Sequence, residues 1–434
     1  MTDALTPDKL LDRVLRIPAC SGLVVAYSGG VDSHVLLHGL SRVNDGLAVP
    51  LRAMHVNHGL HPDAEQWAEH CSDVCQDLEV PLQVFRVTVP PGPSLEAQAR
   101  HARYAVLEEH LASGEVLLTA HHRDDQVETV LLRALRGAGV EGLASIQPRR
   151  SFGQGQLLRP MLDISRAAIL AYATDQGLRW IDDSSNRDLR HDRNFVRQRV
   201  LPLVRERWPS VDQTLAGLAN QAAEHRELLD SLAQWDGLDE EATVPCGVLR
   251  ELPEARRRNL IRAWLRRQGL PMPPRNRLRQ GLHDLLYAAE DRQPCIEWLG
   301  GRLRRYRDRL YADDSVDPEP LVGSIRWAGE PRLLLPGGIL HADPAPQGLD
   351  PALAAEGLAL GSRRPGEHCH PEGRGERSVK KLLQEAGIPP WLRDSWPILR
   401  RADVVAAIPG VCVCRGFASA PGQSGLALAW EPRG

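Results

Sequence analysis

The chain has 434 residues, enough for two or three domains that each bury a core, and its 42% apolar and 25% charged residues are ordinary for a globular protein. No apolar run approaches the roughly 20 residues of a membrane span, and the opening MTDALTPDKLLDRVLR lacks the apolar stretch of a secretory signal, so a cytoplasmic protein is expected. The net charge of −3 excludes a generally basic protein, and the absence of any Gly-Lys dipeptide excludes a Walker-A loop.

From Ser21 to about Pro160, strand-like apolar runs alternate with helical periods. That pattern predicts a parallel sheet with crossover helices, a Rossmann-like α/β fold. Gly22–Tyr27, Arg52–Val56, Leu82–Val87 and Val116–Ala120 read as strands. Val31–Leu40, Ala64–Leu78, Glu96–Leu111 and Asp124–Leu135 read as helices. The C-terminal ends of such strands share one edge, where a site is expected.

The first strand runs into Ser28-Gly29-Gly30-Val31-Asp32-Ser33. Two glycines let the backbone approach an anion, and the following helix N-terminus offers free N–H groups. Asp32 would repel a bare phosphate, so a Mg²⁺-bridged polyphosphate fits better. A plain capping turn would explain the same residues one by one. The fourth strand leads to His121-His122-Arg123-Asp124-Asp125-Gln126-Val127-Glu128-Thr129, and one helix cap needs only one of these polar groups. His121 and Asp125 are therefore expected to face the same cleft as Asp32. Gly137–Gly142 matches GxGxxG but follows a helix rather than a strand, which rules out a dinucleotide fingerprint.

Beyond Ser210 the pattern is helical to about Leu286, and proline and glycine rise from Pro318 through Pro351 with short β-like runs between. This predicts a catalytic domain over 1–209, a helical domain over 210–313, a linker with lead-in strands over 314–352, and a small α+β domain over 353–434. Fifty of the 53 cationic residues are arginine, concentrated in Arg187–Arg207 and Arg302–Arg309, and the only paired lysines are Lys380 and Lys381. A solvated helix face would explain one such cluster; several segregated clusters in a chain of net charge −3 favour RNA contact. The eight cysteines form no CxxC pair, and His368-Cys369-His370 stands in a Pro/Gly loop without a second ligand cluster. Buried or reduced thiols are the expectation there.

SGGVDS after the first strand resembles the signature of the N-type ATP pyrophosphatases. With His55–Leu60 (HVNHGL), AHHRDDQVET, Arg136–Leu143, Asp183-Ser184-Ser185-Asn186 and Arg193–Arg197 it resembles, within them, the tRNA(Ile)-lysidine synthases. The likeness returns at Arg364–Glu367, Lys380–Glu385 and Pro389-Pro390-Trp391. The resemblance implies a ligase that adenylates the wobble cytidine of the CAU anticodon of tRNA(Ile) with ATP and Mg²⁺, releases pyrophosphate, and joins free L-lysine to C2. It implies ATP contacts at Ser28, Gly29, Gly30, Val31, Asp32, Ser33 and His55, with Asp32 holding Mg²⁺ indirectly. It implies catalytic roles for Asp32, His121, Asp125, Arg103 and Arg193, and tRNA contacts at Arg197, Arg364, Lys380 and Lys381. A homodimer is compatible with the pattern. Among rivals, a thiolating tRNA enzyme would need catalytic cysteines, an amidating synthetase would need an ammonia source, and a non-catalytic RNA-binding module would need neither SGGVDS nor the HxxxD pair.

Overall fold

A computed structural model of the chain describes residues 4–17, 20–89, 95–183, 188–239, 242–289 and 292–432, with the side chains of 96 and 97 set aside. Ser184, Ser185, Asn186 and Arg187 of the expected motifs lie outside the described residues. The chain divides into two units, Met1–Leu229 and Asp230–Gly434.

The first unit is built on six strands: β1 (Gly22–Ala26), β2 (Leu51–Asn57), β3 (Leu82–Arg86), β4 (Glu115–Leu118), β5 (Arg149–Phe152) and β6 (Gly155–Leu158). Their order is β3-β2-β1-β4-β6-β5, parallel except for the β5–β6 hairpin. The helices that matter here are α1 (Pro7–Leu15), α2 (Val31–Ser41), α3 (Ala64–Asp77), α4 (Leu95–Glu109) and α5 (Arg123–Leu135). β1 is a continuous apolar run because both its faces are covered. Leu23 and Val25 join a core with Leu10 of α1 and Val35, Leu36 and Leu40 of α2. Val24 points the other way, toward Met54, Leu107 and Leu117. The expected mostly parallel sheet is present, and β1 and β4 lie side by side at its centre, so the turns after them are neighbours. The β5–β6 hairpin extends that expectation: its four-residue strands are too short to show a period, and Gly153 turns between them at φ +52°.

The second unit carries helices Cys246–Glu251, Glu254–Arg267 and Arg275–Tyr287, whose Leu260, Trp264, Leu282 and Leu286 bury a common core. The helical expectation holds over these segments and differs around them. Thr243–Pro245, Cys295–Trp298, Gly301–Tyr306 and Arg309–Asp313 form an antiparallel four-stranded sheet. The Arg302–Arg309 cluster is thus a hairpin, not a helix face. Arg302 donates to Asp313 (2.9 Å) and Asp317 (2.7 Å), and Arg305 to the carbonyls of Leu286 (3.1 Å) and Ala289 (3.0 Å). Buried arginines placed on both faces of the hairpin disguise the two-residue period. The end of the chain is β-rich, with a five-stranded antiparallel sheet and a three-stranded one accompanied by short helices Pro351–Glu356 and Val379–Glu385.

One expectation is overturned here. Cys369 and Cys414 are disulfide-bonded rather than simple thiols, and Cys412 Sγ stands 3.9 Å from Cys369 Sγ. Pairing of strand segments more than forty residues apart brings them together, which spacing along the chain cannot reveal.

Candidate active site

The loop after β1 is shaped by its glycines and serines. Gly29 has φ +81°, and a Cβ there would stand 2.3 Å from Ile181 Cδ1. The Ser28 N–H donates to Ser33 Oγ (3.2 Å), and Ser33 Oγ donates to the Gly30 carbonyl (3.0 Å). Gly30 caps α2 without a side chain, so the first-turn N–H groups stay available to an anion. Asp32 stands in that turn, and its Oδ1 is buried without a hydrogen-bond partner among the described residues.

The turn after β4 meets it. His122, 1% exposed, caps α5, and its N–H donates to Asp125 Oδ2 (3.1 Å). Its Nε2 lies 3.6 Å from Asp32 Oδ2 and 3.5 Å from Asp125 Oδ2, and its Nδ1 lies 3.8 Å from Asp124. Burial works to lower the pKa of this imidazole, but the surrounding carboxylates of Asp32, Asp125 and Asp124 outweigh it, and the net shift is upward. His121 goes the opposite way. Burial, opposed by Asp125 but helped by Arg159, Arg100 and Arg193, brings it down to about 3, so its ring is neutral. Its Nδ1 pairs with Thr119 Oγ1 at 2.9 Å.

A third layer comes from the helical run 192–207. Arg193 donates to Asp125 Oδ1 (2.9 Å) and Glu128 Oε2 (2.7 Å), and Arg197 donates to Glu128 through two bonds (2.6 and 3.0 Å). Glu128 is 1% exposed and holds both guanidiniums against Asp125. Burial raises the Asp125 pKa, yet His122, Arg193 and His121 together leave it below the usual carboxylate value. On the far side, His55 donates its Nδ1–H to the Tyr27 carbonyl (2.9 Å), and burial lowers its pKa, with Arg103 adding to the effect. The ring is therefore neutral and offers Nε2 as an acceptor.

The fold thus gathers Ser28–Ser33, Asp32, His121, Asp125 and Arg193 at one sheet edge, with His55 and Arg103 in electrostatic contact beside them. Arg197, expected as an RNA contact, donates through Nε and one terminal nitrogen to Glu128. Sequence reasoning passed over His122 and Glu128. Their signal was the i,i+3 spacing of His122 and Asp125 at a helix start, which is that of a capping box, and that of Asp125 and Glu128. The other expected residues lie in the second unit. Lys380 and Lys381 are exposed and line a cavity of about 370 Å³ with Arg307, Ser378, Gln384 and Glu385. Arg364 is half-exposed and pairs with Asp403 at 3.1 Å.

Comparison with known proteins matches this chain to a PP-loop domain over residues 8–204, a TilS substrate binding domain over 245–311 and a TilS substrate C-terminal domain over 358–430. The tRNA(Ile)-lysidine synthase of Alkalilimnicola ehrlichii is 45% identical over 97% of this chain and 96% of its own length. That of Coxiella burnetii is 40% identical over 95% of this chain and 94% of its own. The chain belongs to the tRNA(Ile)-lysidine synthase family. It is an ATP-dependent ligase that carries out tRNA(Ile)-lysidine synthesis, with ATP used by the PP-loop domain and tRNA as its partner. As a tRNA(Ile)-lysidine synthase it is neither the thiolating enzyme nor the non-catalytic module considered as rivals. No helix among its described residues is long and apolar enough to cross a membrane.

Proposed function

We propose that this enzyme adenylates the C2 oxygen of the wobble cytidine in the CAU anticodon of tRNA(Ile), then joins the ε-amine of free L-lysine to C2. In the first step the C2 oxygen bonds to the α-phosphorus of ATP and pyrophosphate leaves. In the second the amine bonds to C2, AMP leaves with the oxygen, and the amine gives up a proton. The observation that carries this reading is the convergence of an anion cradle, the charged Asp32–His122–Asp125 cluster and a neutral His121 at one sheet edge.

The cradle suits the polyphosphate: first-turn N–H groups and the Ser28 hydroxyl face an anion that Asp32 alone would repel. The orphaned Asp32 Oδ1 is the kind of hard oxygen that Mg²⁺ takes up. Asp32 would hold the ion, which when bound supplies charge neutralisation on the pyrophosphate. His55 Nε2, as an acceptor, suits the exocyclic amine of adenine. His121, neutral at physiological pH, would accept a hydrogen bond from the attacking amine, while Asp125, kept ionised by His122 and Arg193, would orient a cationic lysine. Arg193 and Arg103 would answer phosphate charge as it develops. A stacked cytidine exposes neither C2 nor its oxygen to this edge, so the base must splay out of the anticodon stack. The exposed Lys380, Lys381 and Arg364 support a role in holding the tRNA elsewhere on its backbone.

Incorporation of labelled lysine into a CAU-anticodon tRNA(Ile) transcript, with ATP and Mg²⁺, tests the reading against an Asp32→Ala control. Incorporation lost in the control is the expected result. Pyrophosphate release without lysine transfer would overturn the choice of nucleophile, and transfer undiminished in the control would overturn the assignment of the site.

A further inference from the structure

A second cluster lies in the C-terminal part of the chain, outside the site described above. Cys369 belongs to the short strand His368–Cys369, while Cys412 opens another strand and Cys414 follows it. Two residues apart on extended chain, Cys412 and Cys414 share a face. Pro371 bridges to Cys414, the Glu372 N–H donates to the Val413 carbonyl (3.2 Å), and the Arg415 N–H donates to the His370 carbonyl (2.7 Å). This pairing delivers to the His-Cys-His tract the second ligand cluster that it lacks in sequence. All three sulfur atoms lie within 4.8 Å of one another. Cys369 and Cys414 are buried beside Val379, Trp396 and Ile398, and Cys412 is half-buried.

Three sulfurs are one more than a disulfide uses. We propose that in the reduced chain Cys369, Cys412 and Cys414 bind one zinc ion as thiolates, and that the Cys369–Cys414 disulfide is the metal-free, oxidised form of the same site. Thiolates select a soft or borderline cation over Mg²⁺ or Ca²⁺. Zn–S bonds of about 2.3 Å in tetrahedral geometry set sulfurs roughly 3.8 Å apart, and Cys369 and Cys412 stand 3.9 Å apart. No other ligating atom of the described residues joins the cluster, so solvent takes the fourth position. Zinc binding exchanges three thiol protons for three S–Zn bonds with no change of oxidation state. Closing the disulfide instead removes two protons and two electrons from two thiols, which a peroxide or a small-molecule disulfide would accept. The ion would tie the loop that carries Glu367 and the start of the Lys380-Lys381 helix to the strand Cys412–Val413.

The test uses the full-length chain, kept reduced, loaded with zinc and freed of excess, with bound metal counted by mass spectrometry. About one zinc per chain is expected, and cobalt(II) in its place should give thiolate-to-metal charge-transfer absorption. Cys412→Ser alters one half-buried sulfur and leaves both core cysteines. It should weaken zinc binding by more than about 100-fold, beyond what loss of an outer-shell partner costs, and remove the cobalt band. Cys412→Ala serves if the serine variant fails to fold. Reduced wild type holding no zinc above either variant overturns the proposal, as does a folded variant that binds zinc as tightly as wild type.

Discussion

Arginine is the dominant cation in both units, and they use it differently. In the second unit, Arg400, 1% exposed, gives every guanidinium nitrogen an acceptor: Glu367, the Ile398 carbonyl and the Ser362 carbonyl. Arg302 is likewise satisfied by Asp313 and Asp317, although Arg304 on the same carboxylates leaves its Nε without a partner among the described residues. In the first unit, Arg193, Arg197 and Arg205 bind the carboxylates of α5, yet the network stays incomplete. Among the described residues Asp32 Oδ1 and His122 Nδ1 have no hydrogen-bond partner. A completed buried network such as that of Arg400 is scaffold; an orphaned carboxylate oxygen beside an anion cradle awaits a ligand.

Glu367→Gln should break the scaffold case. Removing one partner of a buried pair leaves the other charge stranded, at a cost of about 3–5 kcal/mol. Urea unfolding should report that loss, while pyrophosphate release per folded molecule stays near wild type. A variant as stable as wild type would show that the amide replaces the carboxylate fully. Asp32→Asn should do the reverse: stability nearly unchanged and lysine incorporation down about 10²–10³-fold, the scale for losing one well-placed charge-stabilising group. Should both variants lose activity and stability together, the division between the units fails.

Acid should separate them next. In the first unit, burial lowers the pKa of His121 to about 3 and of His34 to about 4, and lowers those of His38, His55 and His58 as well. The unfolded chain therefore takes up these protons first. Stability from these neutral rings is complete above pH ~6.5 and is lost as pH falls toward the folded values, by order 1–2 kcal/mol each for His121 and His34 at about pH 5. His122 runs against this trend, since its raised pKa adds stability below the unfolded value that is lost as pH rises through the folded one. Urea melts at about pH 7.5 and 5 check the net sign, which should favour the higher pH. A flat profile would mean that these rings are hydrated in the folded chain.

How much of this was legible depends on whether a partner is near in sequence. β1 could be read because burial on both faces makes it uniformly apolar, and the cradle because Gly29 and Gly30 stand between a strand and a helix. Asp125 and His121 followed from too many polar groups for one cap. Glu128 did not, because its meaning comes from Arg193 and Arg197, 65 and 69 residues away. The acceptor of Arg197 was hidden for the same reason: a guanidinium in an arginine-rich run looks solvent-directed until its carboxylate is found. The three cysteines were unreadable because a strand pairing, not a motif spacing, assembles them.

The smallest expected effect tests what the second unit leaves facing outward. Lys380 and Lys381 are exposed on the Val379–Glu385 helix, whose N-cap Ser378 accepts from the Lys381 N–H at 3.3 Å. Arg307 joins them at the cavity, although it also donates to the Gln384 carbonyl (2.6 Å). If this group meets phosphates, reversing both lysines to glutamate should weaken tRNA binding about tenfold at low salt. The slope of log affinity against log salt should flatten by about one per lost contact, so the gap narrows as salt rises. Lys9, the only other lysine, is the control: its Nζ donates to the Ala4 carbonyl (2.5 Å), and Lys9→Glu should leave the slope alone. Equal slopes for all three proteins would make the lysine pair a solvated helix face. A slope that changes only for the double variant would place an RNA backbone against the second unit.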